Sequence, residues 1–319
     1  MKVLIIKVSS MGDIIHTLPA VTDASNVVPN ILFDWVVEET FSDIPRWHPA
    51  IHQIIPINLR FWIKNWYKLS SWKRYRECCI QLKKRYDVII DAQGLLKTSL
   101  LITCITRGKK YGMDYTSVRE PMSSFVYHER HYIKKSQHAV ERIRQLFSFS
   151  LKYPVPSCIG KYNIAHLFPL QKNNVPYLIF FHSTTKLQKL WPEFNWSIIA
   201  QYAINAGYFI KLPFWTKSEE LRTNQLARLY CNQIIILPKL TLQEIACQIS
   251  GATAVISVDT GLSHLTAALG CPNVTLYGPT NPKLIGTYGQ NQVALRSSTK
   301  KMKHLTPTHV WESLQKIIK

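Results

Sequence analysis

Acid is scarce in this 319-residue sequence: 19 Asp and Glu stand against 39 Lys and Arg, a formal charge of +20. So basic a chain attracts polyanions, whether nucleic acid, an anionic membrane surface or a phosphorylated substrate, and charge alone does not choose among them. Long hydrophobic runs are missing as well. No stretch approaches the roughly 20 apolar residues that cross a bilayer. The apolar start Val3-Leu4-Ile5-Ile6 is cut at Lys7, which makes it a strand and not a signal peptide. The seven cysteines (Cys78, Cys79, Cys104, Cys158, Cys231, Cys247 and Cys271) are odd in number, form no CxxC pair and lack Cys/His ligand spacing. That disfavours a disulfide scaffold and a zinc site and fits a reducing cytoplasm. The sequence also lacks GxxxxGK[ST], GxGxxG, GxSxG and HExxH. Their absence argues against a P-loop NTPase, a nicotinamide enzyme, an α/β-hydrolase and a zincin.

What the chain does have is a repeated alternation of strand and helix signals. Residues 3–8 form a continuous apolar run of the kind buried on both faces of a parallel sheet. A Ser/Gly loop and an amphipathic stretch at 14–25 follow. Strand signals recur at 33–37 and 88–91, the latter leading through Ala92-Gln93-Gly94 into a helix at 95–106. The second half is cleaner. Strands are predicted at 177–181, 208–212, 234–237, 254–258 and 273–277, with helices at 192–206, 218–230 and 262–269 between them. A further helix opens on the capping box Thr241-x-x-Glu244. Such alternation means βαβ units and parallel sheets. Residues 152–176, richer in Pro, Asn and Lys, form the expected linker. Residues 307–319 read as one amphipathic helix with Val310, Leu314, Ile317 and Ile318 on its apolar face. The expected organisation is therefore a domain at 1–160, a second at 161–305 and a terminal helix at 306–319.

Two loops lie where open α/β sheets bind ligands, at a strand's carboxyl end and a helix's start. In Ser9-Ser10-Met11-Gly12-Asp13, Gly12 allows close approach of a substrate, and Asp13 is either a helix cap or an ionised general base. In Asp259-Thr260-Gly261-Leu262-Ser263-His264, backbone amides would offer an anion site. Asp259 could accept from sugar hydroxyls and His264 contact phosphate or ribose, or the segment is a capped helix with a packed histidine. A third segment, His182 to Pro192, carries Thr184, Thr185, Lys186 and Lys189, donors for a pyrophosphate or solvated loop charges. A fourth, residues 56–86, has nine Lys and Arg against the single acid Glu77, interleaved with Phe61, Trp62, Trp66, Tyr67, Trp72 and Tyr75. It suits nucleic acid by stacking, an anionic membrane interface, or a solvated basic helix with a packed face.

Taken together these motifs resemble the bacterial lipopolysaccharide heptosyltransferases. The likeness runs through residues 2–19 (KVLIIKVSSMGDIIHTLP), 33–39 (FDWVVEE), 91–97 (DAQGLLK), 138–142 (HAVER), Trp191-Pro192, 211–213, 257–268 (SVDTGLSHLTAA), 277–280 (YGPT) and 284–286. It implies a GT-B fold of two facing Rossmann-like domains, with the C-terminal helix crossing back to the first. The implied reaction is inverting transfer of L-glycero-D-manno-heptose from ADP-heptose to Kdo-lipid A, with transfer to an already heptosylated acceptor as the alternative. By motif match Asp13 would be the base. Thr184, Thr185 and Lys189 would hold the pyrophosphate, Glu219 the ribose, and Leu240 would line the adenine pocket. Asp259, Thr260, Gly261 and His264 would hold heptose and phosphate. Ser10, Gly12, Arg60, Lys64, Lys97 and Arg119 would serve the acceptor. No metal or other cofactor is expected, since lysine and amide donors stabilise the departing ADP. The resemblance further implies a monomer on the cytoplasmic face of the inner membrane, touching its anionic surface and binding no nucleic acid. A non-catalytic nucleic-acid-binding protein remains the rival from another class.

Overall fold

A computed structural model describes residues 1–169, 175–228, 230 and 232–318. Cys231, and parts of the expected linker and of the expected helix at 218–230, lie outside the described residues. The chain divides into two units, Met1–Asn163 and Ile164–Lys319.

The first unit is built on six parallel strands: β1 (Lys2–Ile6), β2 (Leu32–Glu38), β3 (Ile51–Ile57), β4 (Arg85–Asp91), β5 (Arg107–Met113) and β6 (Glu129–His131), in the order β3-β2-β1-β4-β5-β6. Val3, Leu4, Ile5 and Ile6 are fully buried, as a central parallel strand covered on both faces requires. The predicted helix at 14–25 is two helices, Met11–Ile15 and Leu18–Val27, the second opening with Pro19 in its first turn. The helix Ala139–Leu151 packs on Leu18–Val27. Between them Arg144 Nε, 1% exposed, donates to Asp23 Oδ2 at 2.6 Å. A buried guanidinium with a carboxylate partner escapes the penalty of an unpaired charge. Gly160 lies so close to Pro19 that a Cβ there would come within 2.8 Å of the proline ring.

The second unit repeats the plan: β7 (Tyr177–Phe181), β8 (Phe209–Leu212), β9 (Ile234–Ile236), β10 (Ala254–Val258), β11 (Asn273–Tyr277) and β12 (Gln292–Arg296), all parallel, in the order β12-β11-β10-β7-β8-β9. Read from the other edge, this is the order of the first sheet. Each has the doubly wound arrangement in which strand order reverses beside the first strand. The reversals fall between β1 and β4 and between β7 and β10, and there the carboxyl ends open a crevice. The Thr241 capping box forms as expected: the Thr241 hydroxyl accepts from the Glu244 amide, and the Glu244 carboxylate accepts from the Thr241 amide at 2.7 Å.

The terminal helix is shorter than the 307–319 read for it. It spans Pro307–Gln315 and buries Val310 and Leu314 in the second unit's own core, against the helix Glu193–Asn205 and β11. Trp191 Nε1 donates to the Leu305 carbonyl just ahead of it at 2.9 Å. Ile317 and Ile318, read on the same apolar face, pack against that core as well.

Candidate active site

At the first switch point, β1 leads through Lys7 and Val8 into the Ser9-Ser10 loop. The loop is clamped from the neighbouring strand: Gln93 Oε1 accepts from the amides of Val8 (2.8 Å) and Ser9 (3.1 Å). Gln93 is itself fixed because Asp91 Oδ1 accepts from the amides of Gln93 and Gly94, while Asp91 Oδ2 accepts from Ser99 and Thr103 hydroxyls. Gly94 has φ +62°, and a Cβ there would lie 2.6 Å from Val118 Cγ2, so the turn admits little but glycine.

Asp13 is half-buried at the third position of the helix Met11–Ile15. Its Oδ2 accepts from the Ser10 amide and the Ser10 hydroxyl, both at 3.0 Å. Asp13 is thus a reciprocal cap with Ser10, and its environment also favours the ionised form. Burial pushes its pKa up, but the Lys7 ammonium, the two bonds from Ser10 and the Arg119 guanidinium outweigh that and hold it below the ordinary value. A five-residue helix offers few aligned peptide dipoles. The charge comes instead from Lys7, which sequence pattern did not single out. Lys7 is 7% exposed, and its Nζ donates to the Ala92 carbonyl at 2.8 Å. Burial lowers the Lys7 pKa, opposed by Asp13 and Asp91. Only the fold, joining β1 to a loop 85 residues away, makes this residue visible.

The expected acceptor cations Arg60, Lys64, Lys97 and Arg119 are exposed. Arg119 acts on Asp13 and Lys7. Arg60 and Lys97 both bear on Glu38, a buried carboxyl at the end of β2. Burial raises the Glu38 pKa against the pull of the Arg60 and Leu59 amides and those two cations. Lys64 lies at the far end of the helix Leu59–Lys64. Ser10 and Gly12 belong to the Asp13 loop itself.

At the second switch point a cleft of about 120 Å³ gathers Thr184, Thr185, Glu219 and Thr260 with Phe181, Trp215 and Leu262. Thr184 Oγ1 donates to the Asp259 carbonyl at 3.2 Å, and Lys189 Nζ stands 2.6 Å from Asp259 Oδ2. Lys186 is exposed, whereas Lys189 is the lysine paired with Asp259. Thr260 caps the helix Gly261–Ala268 from an extended conformation, which turns the first amides outward. His264 is buried in that helix. Glu219 Oε2 accepts from the Trp215 and Thr216 amides, capping the helix Lys217–Arg228. Trp215 Nε1 donates to the Leu240 carbonyl at 3.2 Å, which ties Leu240 to the same cleft. His182 also lines it. Burial, helped by the Arg222 guanidinium, pushes that imidazole down to about 4. It is therefore neutral near pH 7, bonded to Ser183 and Thr223, and no cation for a phosphate.

Two doubly wound sheets in one chain, each with polar side chains gathered at its switch point, are the architecture of GT-B glycosyltransferases. The chain belongs to glycosyltransferase family 9 (heptosyltransferase), whose sequence model matches residues 77–314. It is 47% identical over 317 residues to lipopolysaccharide heptosyltransferase 1 of Salmonella typhimurium, covering 98% of this chain and 99% of that one. The solved structure of E. coli heptosyltransferase WaaC with ADP superposes with a TM-score of 0.95 at 45% identity, covering 99% of this chain and 100% of the other. E. coli ADP-heptose lps heptosyltransferase II shares the fold, at 20% identity and a TM-score of 0.80 over 100% and 98% of the two chains. This chain is an enzyme, a glycosyltransferase, and the non-catalytic nucleic-acid reading falls.

Proposed function

We propose that this glycosyltransferase moves L-glycero-D-manno-heptose from ADP-heptose to Kdo-lipid A, inverting the anomeric carbon, with Asp13 as general base. The observation that carries the proposal is the Asp13 carboxylate, kept ionised by buried Lys7 at the mouth of the first switch point. Both Ser10 bonds fall on Oδ2, and Oδ1 receives the acceptor's proton. A carboxylate of lowered pKa is a weak base at rest. It suffices because the hydroxyl becomes acidic only as its oxygen bonds to the anomeric carbon. In the second unit Lys189, Thr184, Thr185 and the amides of Thr260 and Gly261 take the negative charge that accumulates as ADP leaves, which is work for donors fixed in advance and needs no metal. Asp259, locked by Lys189, and buried His264 hold heptose and phosphate; Glu219 takes the ribose, and Leu240 lines the adenine pocket. Arg60, Lys64, Lys97 and Arg119 grip the acceptor's phosphate and carboxylate groups beside Ser10 and Gly12.

The relatives named above support the donor: one is a lipopolysaccharide heptosyltransferase 1, and one was solved with ADP. Among the described residues no helix is long and apolar enough to cross a membrane. The basic and aromatic segment, with Trp66, Tyr67, Leu69 and Trp72 more than half exposed, is proposed to touch the anionic cytoplasmic face of the inner membrane. The test is incubation of purified protein with ADP-heptose and Kdo-lipid A, followed by ADP release and product mass. Heptosylated Kdo-lipid A supports the reading. Activity only on an already heptosylated acceptor overturns it in favour of the second transfer.

A further inference from the structure

An apolar cleft of about 270 Å³ lies in the first unit apart from Asp13, lined by Leu59, Trp62, Ile63, Trp72, Tyr75 and Leu101 together with Trp66 and Ser71. Its wall is braced: Tyr75 Oη donates to the Leu101 carbonyl at 2.9 Å, Trp72 Nε1 donates to the Trp66 carbonyl at 2.6 Å, and the Tyr75 ring meets Trp62 and Trp72 edge-on. Two polar atoms of the lining, Trp62 Nε1 and Ser71 Oγ, are buried and have no partner. Buried donors without partners are costly and uncommon. A cleft walled by hydrocarbon suits an alkyl chain.

The charges around the cleft say which molecule carries that chain. The helix Leu59–Lys64 gives Leu59, Trp62 and Ile63 to the cleft and also carries the exposed cations Arg60 and Lys64. The helix Leu96–Leu101 gives Leu101 to the cleft and carries exposed Lys97. On each element, cations proposed to hold the acceptor's anionic groups share a few turns with the cleft lining. We infer that the cleft holds one acyl chain of the lipid acceptor while the anionic head group lies on Arg60, Lys64 and Lys97. The assignment rests on the acceptor reading above.

The test begins without transfer chemistry: calorimetric titration of the full-length protein with butyl, hexyl and octyl phosphate below their micellar concentrations. If methylenes enter the cleft, affinity rises about fourfold per added methylene. Equal affinity across the series overturns the proposal. Trp72→Glu, at a half-exposed position on the rim, should flatten the series and weaken octyl phosphate at least tenfold while butyl phosphate binds as before. An unchanged series in a variant with an unaltered melting curve also overturns it. Kdo-lipid A should displace octyl phosphate. If phosphatidylglycerol vesicles displace it equally well, the cleft holds a bilayer chain and the acceptor assignment is wrong. Heptose transfer to a chain-free Kdo acceptor separates the two claims, because it tests the transferase reading and leaves the cleft out.

Discussion

The two sheets have the same strand order, so their loops can be matched one to one, and the match differs from what residue pattern suggests. By pattern, the Asp13 loop and the Asp259 loop are counterparts, each a strand end, a small-residue loop and an acid at a helix start. By topology, β1 corresponds to β7 and β4 to β10. The counterpart of the Asp13 loop is therefore the Thr184 loop, and the counterpart of Asp259 is Asp91. The first unit places the carboxylate proposed as base after the first strand and uses the aspartate of the fourth strand as an internal brace. The second places donors after the first strand and leaves the fourth-strand aspartate in the site, paired with a lysine. On the proposed assignment one scaffold supports a proton acceptor in one half and an anion cradle in the other, and the fourth-strand aspartate does different work in each.

That contrast can be broken. Asp91 serves four donors from a buried position. Asp91→Ala should therefore cost about 3 kcal/mol or more by stranding them, read as a lower denaturation midpoint in urea. Asp259→Ala should cost less stability and act on donor binding instead; equal losses in both would erase the distinction. Lys189→Ala should weaken ADP binding by roughly 10- to 100-fold, the range of a charge-assisted contact, whereas Lys186→Ala should change it little. Calorimetry with ADP decides, and the reverse order would move the pyrophosphate contact to Lys186. Smaller again, Lys7→Met removes the ammonium that holds the Asp13 pKa down. The pKa of the base then rises, and the acid limb of kcat/KM against pH moves to higher pH. An unmoved limb would mean that Asp13 is not the titrating base. Arg60→Ala or Lys97→Ala should raise the acceptor KM several-fold, more at low salt than at high. Chelation by EDTA should leave the rate unchanged, and a lost rate restored by a divalent cation would contradict the metal-free account.

Most of the central strands were legible because a parallel strand buried on both faces is a bare apolar run, as in Val3-Leu4-Ile5-Ile6. Among the outer strands β9 was read at 234–237, whereas β3, β5, β6 and β12 were not. β3, Ile-His-Gln-Ile-Ile-Pro-Ile, lies at the sheet edge, where Pro56 and polar residues are tolerated. β5 carries Arg107, Lys109 and Lys110 in place of an apolar run. The Asp13 and Asp259 loops could be found because strand, small residues and helix follow one another locally. Lys7 and Gln93 could not, since their roles come from contacts between β1 and the loop after β4. Trp215 likewise joins the cleft around Thr184 only when β7 and β8 lie side by side.

The central claim is that proton transfer belongs to the first unit and donor binding to the second, and Asp13→Ala tests it most directly when turnover and ADP-heptose affinity are measured on the same preparation. A fall in kcat of about 10²- to 10⁴-fold is expected, with donor affinity unchanged. Loss of donor binding, or retained turnover, would contradict it and leave Asp13 as the cap of its helix.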